Sequence, residues 1–381
     1  MSGGGLTTAT AERSTGLETL RQAYADRLDA WQSTPRVVGL VGNTIPVELV
    51  LACGRVPVLV AARRGRPTPH ADVYMEDVIA PETKSLFESA ASGDLAFLEL
   101  LVLSRPYAQL YYYLKEVYRL GRGPAFPPLF MFDLMHSRRE AVRAYNWARF
   151  RALIERLQRL AGQEITEGRL RDAIASTNSV RAQQRRLQEL RWQQRVSGVE
   201  ALEALGAGYF IAPDAYRVAL GSYVDSLAER PGLSARPRLL VVTSEPLSHT
   251  GLHQAVESAG AWVVAEDDWW GSRAPGADVP LAGSAYEAVF QKAWLDTATP
   301  GVYPSTAREA WLREHALRED VDGVVFYLPP SDHQLGWDYP RLNRWLSDHG
   351  KATLLVRSDA TTPDGAEAIR LDVAHFLESL G

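Results

Sequence analysis

The chain has almost no cysteine, and this scarcity limits the bonds and the metal centres that it can support. Cys53 is the only cysteine among 381 residues, so no intrachain disulfide is possible. No apolar run approaches the roughly 20 residues that a membrane-spanning helix needs. Residues 1–16 are small and polar and lack the apolar core typical of a signal peptide, so we expect a frayed tail there. These absences predict a cytoplasmic protein that does not cross a membrane.

An excess of positive charge is also absent. The net charge is -5, whereas nucleic-acid binding usually demands a basic face, so we expect no nucleic-acid partner. The GxGxxG pattern typical of dinucleotide sites does not occur, and neither does the HExxH spacing of zinc proteases. The hydrophobic content of 46% and the charged content of 23% are ordinary for a globular protein with large cores.

Short runs rich in valine and leucine alternate with helical patterns in two separate parts of the chain. Such alternation is typical of parallel sheets covered by helices on both faces. We therefore predict an α/β fold with two Rossmann-like parallel-sheet lobes. The runs interpreted as strands are residues 37–41, 56–61, 98–103, 128–133, 239–243, 262–265, 323–327 and 353–356.

A helical block separates the two predicted lobes. Apolar residues recur at helical spacing in residues 137–160, and Gly162 fits a C-cap. A second helix is predicted over residues 166–194, and a third begins at Ser197, where Glu200 completes a capping box. The predicted domains are an N-terminal tail and helix, a first α/β lobe, the helical block and a second α/β lobe, at residues 1–35, 36–134, 135–236 and 237–381.

Five segments in order resemble the short, D-component-like subunits of the 2-hydroxyacyl-CoA dehydratase and benzoyl-CoA reductase family. The first is VVGLVGNTIPVELVLACGRVPVLV, and the fourth, RLLVVTSEPLSHTGLHQAVESAGAWVVAEDDWWGSR, opens the second lobe. No single motif is highly specific, but their order makes a chance match implausible. The five segments are residues 37–60, 71–116, 162–181, 238–273 and 322–346.

The resemblance implies a heterodimer of related subunits that an ATP-hydrolysing iron–sulfur activator supplies with electrons. An electron passes to a 4Fe–4S cluster beside an acyl-CoA thioester. The resulting ketyl-type radical permits either loss of a hydroxyl as water or reduction of an aromatic ring. In such chemistry the protein contributes positioning, electron delivery and exclusion of side reactions.

The family's three cluster-binding cysteines are replaced in this chain. Their positions fall at Ala80 or Pro81, at Ser104 and at Ser331. Thiolates are the soft ligands that iron–sulfur iron prefers, and a serine hydroxyl is a poor substitute. We therefore expect no metal on this chain and a 4Fe–4S cluster on a homologous partner subunit. Cys53 lies in the helix after the first strand–helix turn, where we expect a small buried apolar residue.

Two residues near the first strand are candidate substrate contacts. The resemblance places Glu48 where the family has a carboxylate close to the substrate cleft. The alternative is that the negative charge of Glu48 stabilises the N-terminus of its helix through the helix dipole. Asn43 lies with Gly42 and Thr44 in a strand-to-helix turn, the place where α/β folds bind ligands.

Two further candidates lie in the second lobe. Ser244, in the corresponding turn, would contact a phosphate or the pantetheine of CoA, or else act as a helix N-cap. Arg273 would meet a CoA phosphate, because a guanidinium offers bidentate donors. Its alternative partners are Asp267 and Asp268.

Other side chains are open to two interpretations. Trp269 and Trp270 would cap a pocket, face a partner subunit or pack in the core. We interpret the arginines of residues 180–195 as a solvated helix face. The minor alternative is that they contact an acidic partner protein. A replacement metal site would draw on residues that each follow a predicted strand, although no metal-binding spacing supports it. Its members would be Ser104, His249, Asp332 and His333.

The leading hypothesis is a cluster-less subunit that pairs with a cluster-bearing homologue and shapes an acyl-CoA site. One alternative is a non-catalytic binding or assembly protein that keeps the fold. Another is an acyl-CoA enzyme with cluster-independent chemistry, for which no nucleophile–base pair is visible.

Overall fold

The structure is a computed structural model that describes most of the chain. It describes residues 5–63, 65–121, 126–244, 246–296, 306–330, 332 and 335–380, apart from the side chains of residues 5–15 and 307. Within these ranges no helix combines the length and the apolar character that a membrane span requires.

The first lobe is a parallel four-stranded sheet preceded by a long helix. The strand order is β2-β1-β3-β4. The entry helix α1 spans Gly5–Asp26 and continues as a 3-10 turn, Arg27–Trp31. The strands are β1 Val37–Val41, β2 Val56–Leu59, β3 Leu100–Ser104 and β4 Leu129–Phe132, and the helices are α2 Val47–Ala52, α3 Pro69–Tyr74, α4 Pro81–Ala91 and α5 Ala108–Arg119.

A block of four helices follows: α6 Glu140–Ala161, α7 Glu167–Trp192, α8 Gly198–Ala207 and α9 Pro213–Ala228. Gly162 ends α6 with a φ of 65°, a left-handed conformation that glycine adopts without steric cost. The Ser197 and Glu200 side chains form the predicted capping box at the start of α8. Local sequence signals thus set the limits of these helices.

The second lobe repeats the topology of the first, with the strand order β6-β5-β7-β8 and parallel pairing throughout. This repetition confirms the prediction of two Rossmann-like parallel-sheet lobes, whereas the domain limits stay predictions. The strands are β5 Arg238–Val242, β6 Trp262–Asp267, β7 Gly323–Tyr327 and β8 Ala352–Val356, and the helices are α10 Gly251–Ser258, α11 Ala285–Leu295, α12 Thr306–Ala316, α13 Leu335–Asp348 and α14 Pro363–Leu380.

In both sheets the order of the strands reverses beside the first strand, between β1 and β3 and between β5 and β7. Ligands of α/β folds bind at such switch points. In the first lobe the turn after β1 begins at Gly42, which has a φ of 94°. A side chain at this position would also overlap the hydroxyl of Ser104 at the end of β3. Glycine is therefore required for β1 and β3 to end side by side.

The prediction of a frayed tail over residues 1–16 is wrong from Gly5 onward, because α1 begins there. Small and polar residues in this stretch concealed a helix whose later part packs against α9 and α8. Leu20, for example, is fully buried in that contact region. Tertiary packing stabilises helices that composition alone does not suggest.

Candidate functional site

A cavity of about 220 Å³ lies between the first lobe, the helix α7 and the segments around α11. The turn after β1 and the start of α2 supply one side, and α7 crosses opposite them. Most of its wall is apolar. The apolar lining includes Leu40, Ile45, Val47, Leu51, Leu59, Val180, Leu205, Trp269, Pro275 and Ala293.

A buried ion pair forms the polar end of this cavity. Glu48, in the first turn of α2, is only 3% exposed and accepts a hydrogen bond from the guanidinium of Arg181 on α7. The Thr177 hydroxyl donates to the same carboxylate at 3.1 Å. Burial alone would raise the pKa of Glu48, but Arg181 holds it below its usual value, so the carboxylate is charged.

The same arginine is connected to residues 274–283, a segment whose Ala274 and Pro275 line the cavity. Arg181 donates to Asn178 Oδ1 at 2.8 Å. Asn178 in turn bonds both backbone groups of Val279, accepting from its N–H at 2.9 Å and donating to its carbonyl at 2.8 Å. Arg185 donates to the Gly276 carbonyl at 3.1 Å. Helix α7 therefore holds this segment in place.

Lys292, on α11, adds a second cation to the cavity wall. Burial, reinforced by repulsion from Arg181, lowers the pKa of Lys292 to about 8. Its ammonium donates to the carbonyl of Ala277 at 2.5 Å. It forms no ion pair with any carboxylate in the described part of the chain.

Asn43 supplies an unpaired donor beside these charges. It lies in the turn after β1 and lines the cavity. Its Nδ2 is buried and has no hydrogen-bond partner among the residues that the structure describes. A buried donor without a partner is costly, which indicates that a ligand or water pairs with it. The turn predicted from the sequence thus lies at a cavity, together with Glu48.

The positions that the resemblance assigns to cluster ligands lie mainly at one edge of the first lobe. Ala80 precedes α4 and Pro81 begins it. The Tyr107 hydroxyl donates to Glu82 at 3.0 Å, which brings the start of α4 next to the end of β3 and Ser104. The third ligand position, Ser331, lies outside the described residues.

The residues at these positions do not fit an iron–sulfur cluster. Ala80 and Pro81 offer no donor side chain, and the buried Ser104 hydroxyl donates to the Val41 carbonyl at 3.0 Å. Cys53 is fully buried in the core and donates to the Val50 carbonyl at 3.1 Å. Burial raises the pKa of the Cys53 thiol to about 11, so it is not a thiolate at neutral pH.

In the second lobe, Ser244 and Asp332 are brought together as their positions after β5 and β7 predict. The Ser244 hydroxyl donates to Asp332 Oδ2 at 2.5 Å, and the backbone N–H of Leu335 donates to Oδ1 at 2.8 Å. The N-cap interpretation of Ser244 is wrong, since α10 begins at Gly251 after Thr250. The loop after β5 is longer than the sequence pattern suggested.

The replacement metal site gains no support from these contacts. Within the described ranges no group of three or more His, Cys, Asp or Glu side chains is placed to hold a metal ion. His249 Nδ1 accepts a bond from the nearby Gly251 N–H at 3.3 Å, and Ser104 bonds within its own lobe. His333 lies outside the described residues.

Arg273 forms the ion pair that was the alternative to a phosphate contact. Its guanidinium lies 2.6 Å from the carboxylate of Asp267, which also pairs with Arg308 at 2.6 Å. It stacks over the ring of Trp311, 4.6 Å from the centroid. A role in binding a CoA phosphate stays a prediction.

The two tryptophans after β6 are both buried, which excludes the interpretation that they face a partner subunit. Trp269 lines the cavity, and the hydroxyl of Tyr209 donates to its carbonyl at 2.9 Å. The ring of Trp270 packs on that of Tyr209, with centroids 4.9 Å apart.

The interpretation of the α7 arginines as a solvated face is wrong for two of them, Arg181 and Arg191. Arg191 is 1% exposed and pairs with Glu266 at the end of β6, and Arg181 pairs with Glu48. Helix α7 packs against elements of both lobes, so these two arginines meet buried carboxylates. Sequence reasoning also missed Lys292, for which the only signal is that lysine occurs four times in the chain.

Comparison with known proteins identifies the family. The family model for the 2-hydroxyglutaryl-CoA dehydratase D-component matches residues 43–380. The chain belongs to this family. The match covers the helical block, the second sheet and the strands β2, β3 and β4 of the first sheet, and it confirms the resemblance found in the sequence.

Three relatives are similar over most of their lengths. A provisionally named dehydratase subunit, YjiM, of Escherichia coli K12 is 24% identical over 364 residues, which cover 90% of this chain and 91% of the relative. The beta subunit of (R)-2-hydroxyglutaryl-CoA dehydratase of Acidaminococcus fermentans is 21% identical, with coverages of 91% and 92%. The (R)-phenyllactyl-CoA dehydratase beta subunit of Clostridium sporogenes is 18% identical, with coverages of 92% and 93%.

Proposed function

We propose that the chain is a cluster-free subunit of a 2-hydroxyacyl-CoA dehydratase or benzoyl-CoA reductase-type complex. It pairs with a homologous subunit that carries the 4Fe–4S cluster and receives electrons from an ATP-hydrolysing activator. The observation that carries the proposal is a family match over residues 43–380 in a chain with one cysteine. That cysteine is buried and protonated, so three thiolate ligands cannot come from this subunit.

The contribution of this chain is to bind and orient the acyl-CoA while its partner carries out the redox step. The cavity between the first lobe and α7 holds the acyl group, with Glu48 and Asn43 as polar contacts. Its largely apolar wall suits the carbon chain of the acyl group.

The phosphates and the pantetheine of CoA are too large for a cavity of about 220 Å³, so they extend outside it. We assign their contacts to Ser244 and Arg273 in the second lobe. Arg273 would have to share its guanidinium between the phosphate and Asp267, to which it is now paired.

Anaerobic reconstitution tests the cluster assignment. The purified subunit, incubated with iron and sulfide, is expected to retain no stoichiometric cluster, whereas a cysteine-bearing homologue treated in parallel retains one. Iron and sulfide analysis and absorption spectroscopy provide the measurement. A stable 4Fe–4S spectrum on this chain alone would refute the proposal.

Purification from the native host tests the pairing. We expect a stable one-to-one complex with a cysteine-bearing homologue. Isolation as a monomer or a symmetric homodimer would instead favour a non-catalytic binding or assembly protein that retained the fold.

A further inference from the structure

The chain has four lysines, and their surroundings differ. Lys84 contacts two carboxylates on the surface, and Lys351 donates to two backbone carbonyls. Lys115 is exposed on α5. Lys292 instead lines the cavity between the first lobe and α7, where most of the wall is apolar. Its amine therefore meets any molecule that enters this cavity.

Two carboxylates and two cations line the cavity, so its formal charges cancel. Glu48 is paired with Arg181, and Asp296 lies one helical turn after Lys292, exposed at the end of α11. The Lys292 ammonium donates to the carbonyl of Ala277 and to no carboxylate of the described residues. The cavity is neutral as a whole, but Lys292 has no counter-ion in direct contact.

The ionisation of Lys292 follows from this arrangement. Burial lowers the pKa of its amine, and repulsion from Arg181 adds to the effect. Glu48, Asp296 and Asp278 act in the opposite direction, but the pKa still falls to about 8. Roughly a quarter of the amines are then neutral at pH 7.5, against about one in a thousand for an ordinary lysine. The neutral amine is the nucleophilic form of lysine.

We propose that Lys292 is a site of acylation by thioesters that enter this cavity. The neutral amine attacks the carbonyl carbon, an N–C bond forms and the C–S bond breaks. The sulfur leaves as a thiol with the proton that the amine gives up. The product is an amide, so Lys292 loses its positive charge and the acyl group occupies the cavity. The inference goes beyond the proposed function and rests on it only for the natural acyl donor, an acyl-CoA.

The first test uses S-butanoyl-N-acetylcysteamine, a small thioester without the CoA nucleotide, and the purified chain at pH 7.5. Peptide mass spectrometry follows the acylation of all four lysines in one sample. We expect Lys292 to react at least about tenfold faster than Lys115, because far more of its amine is neutral. Denaturant should abolish the difference. Equal or slower reaction of Lys292 in the folded chain would overturn the proposal.

The length of the acyl chain tests whether the reaction takes place in the cavity. Burial of one methylene group against an apolar wall favours binding by about fourfold. The rate at Lys292, divided by the rate at Lys115, should therefore rise severalfold from the acetyl to the butanoyl thioester. Division by the Lys115 rate removes the intrinsic difference between the two reagents. A ratio that stays constant or falls would overturn the assignment to the cavity.

The pH dependence of the rate tests the ionisation of the amine. Acylation of Lys292 should level off above about pH 8, since the amine is then mostly neutral. A rate that continues to rise up to pH 10 would overturn the proposal.

Variants and a CoA thioester separate this inference from the proposed function. Lys292→Arg should remove the fast phase of acylation from the intact mass, whereas the matched variant Lys115→Arg should keep it. A fast phase that survives Lys292→Arg would overturn the proposal. Butanoyl-CoA should acylate the same amine. If the small thioester acylates Lys292 while butanoyl-CoA neither reacts nor binds in calorimetry, the inference stands and the proposed function fails. If neither thioester acylates Lys292, the inference fails.

Discussion

Helix α7 contributes one arginine to each of two buried charged clusters, and the surroundings of the two clusters differ. Arg181 meets Glu48 at the cavity wall, where a lysine and an asparagine amide lack full partners. Arg191 meets Glu266 in the packed interior, with side chains 1% and 0% exposed. We call the first the open cluster and the second the closed cluster.

In the closed cluster the Glu266 carboxylate is bound on both oxygens by protein groups, whereas Nδ1 of the buried His253 has no partner among the described residues. Arg191 donates to Glu266 Oε2 at 2.9 Å and to the Val263 carbonyl at 2.8 Å. His253 Nε2 lies 2.5 Å from Oε1 of the same carboxylate, and the Ser272 hydroxyl donates to Oε2 at 2.7 Å. Such a network fixes α7 on the second lobe. The two clusters differ in that only the open cluster is known to line a cavity, at Glu48 and Arg181.

The largest expected effect is the loss of one partner of the closed cluster. Arg191→Met leaves the Glu266 carboxylate buried without its main counter-charge. We expect the free energy of unfolding to fall by about 3–5 kcal/mol, measured by denaturant titration. Replacing both residues by methionine should recover much of the loss. A cost below about 1 kcal/mol for the single variant would show that water reaches the closed cluster.

The second prediction concerns Asp268, which adjoins the closed cluster. Burial, reinforced by the charges of Glu266 and Asp267, raises its pKa to about 7. In the unfolded chain the pKa is about 4, so between these values the folded state holds a proton that the unfolded state has lost. Stability therefore falls as the pH rises from about 4 to about 7, by roughly 1–4 kcal/mol.

Asp268→Asn should remove this dependence, because an amide does not titrate. Thermal or denaturant unfolding of both proteins across this range gives the difference. We expect the free energy of unfolding of the variant to rise, relative to that of the unsubstituted protein, as the pH rises. Parallel stability curves would mean that Asp268 is charged throughout.

The third prediction concerns the open cluster and should have a smaller effect on stability. Glu48→Gln leaves Arg181 without its counter-charge, but Arg181 is 12% exposed and adjoins a cavity that water can enter. We expect a loss of about 1–3 kcal/mol in the free energy of unfolding. A loss as large as that of Arg191→Met would contradict the distinction between the clusters.

The smallest expected effect is that of Asn43→Ala. The Nδ2 of Asn43 has no partner to lose in the described part of the protein, so its removal should change stability by less than about 1 kcal/mol. Binding of an acyl-CoA, measured by calorimetry, should nevertheless weaken. A stable variant with unchanged affinity would show that Asn43 contributes nothing to ligand binding.

Most of the fold could be predicted from the sequence. Each of the eight strands of the described residues overlaps a predicted one, and the Gly162 C-cap and the Ser197 capping box are as expected. These features depend on neighbours within a few residues, so local periodicity reveals them. The helix at Gly5 was missed because its stabilisation comes from distant helices.

The site was predicted only in part. Asn43 and Glu48 were recognised from their turn and from the family resemblance, and the structure places both at the cavity. Arg181 and Lys292 were missed. Glu48 and Arg181 lie 133 positions apart in the chain, and no periodic pattern links residues at such a separation.

The sequence by itself determined the two parallel-sheet lobes, the family and the loss of cluster-binding thiolates, because all three follow from residue identity and local order. Only the tertiary structure decided which charges are paired and which are left over. That decision depends on how α7 packs between the lobes, since burial and distance govern the energy of a charge. The same arginine-rich helix therefore contacts the second lobe through Arg191 and borders the cavity with Arg181.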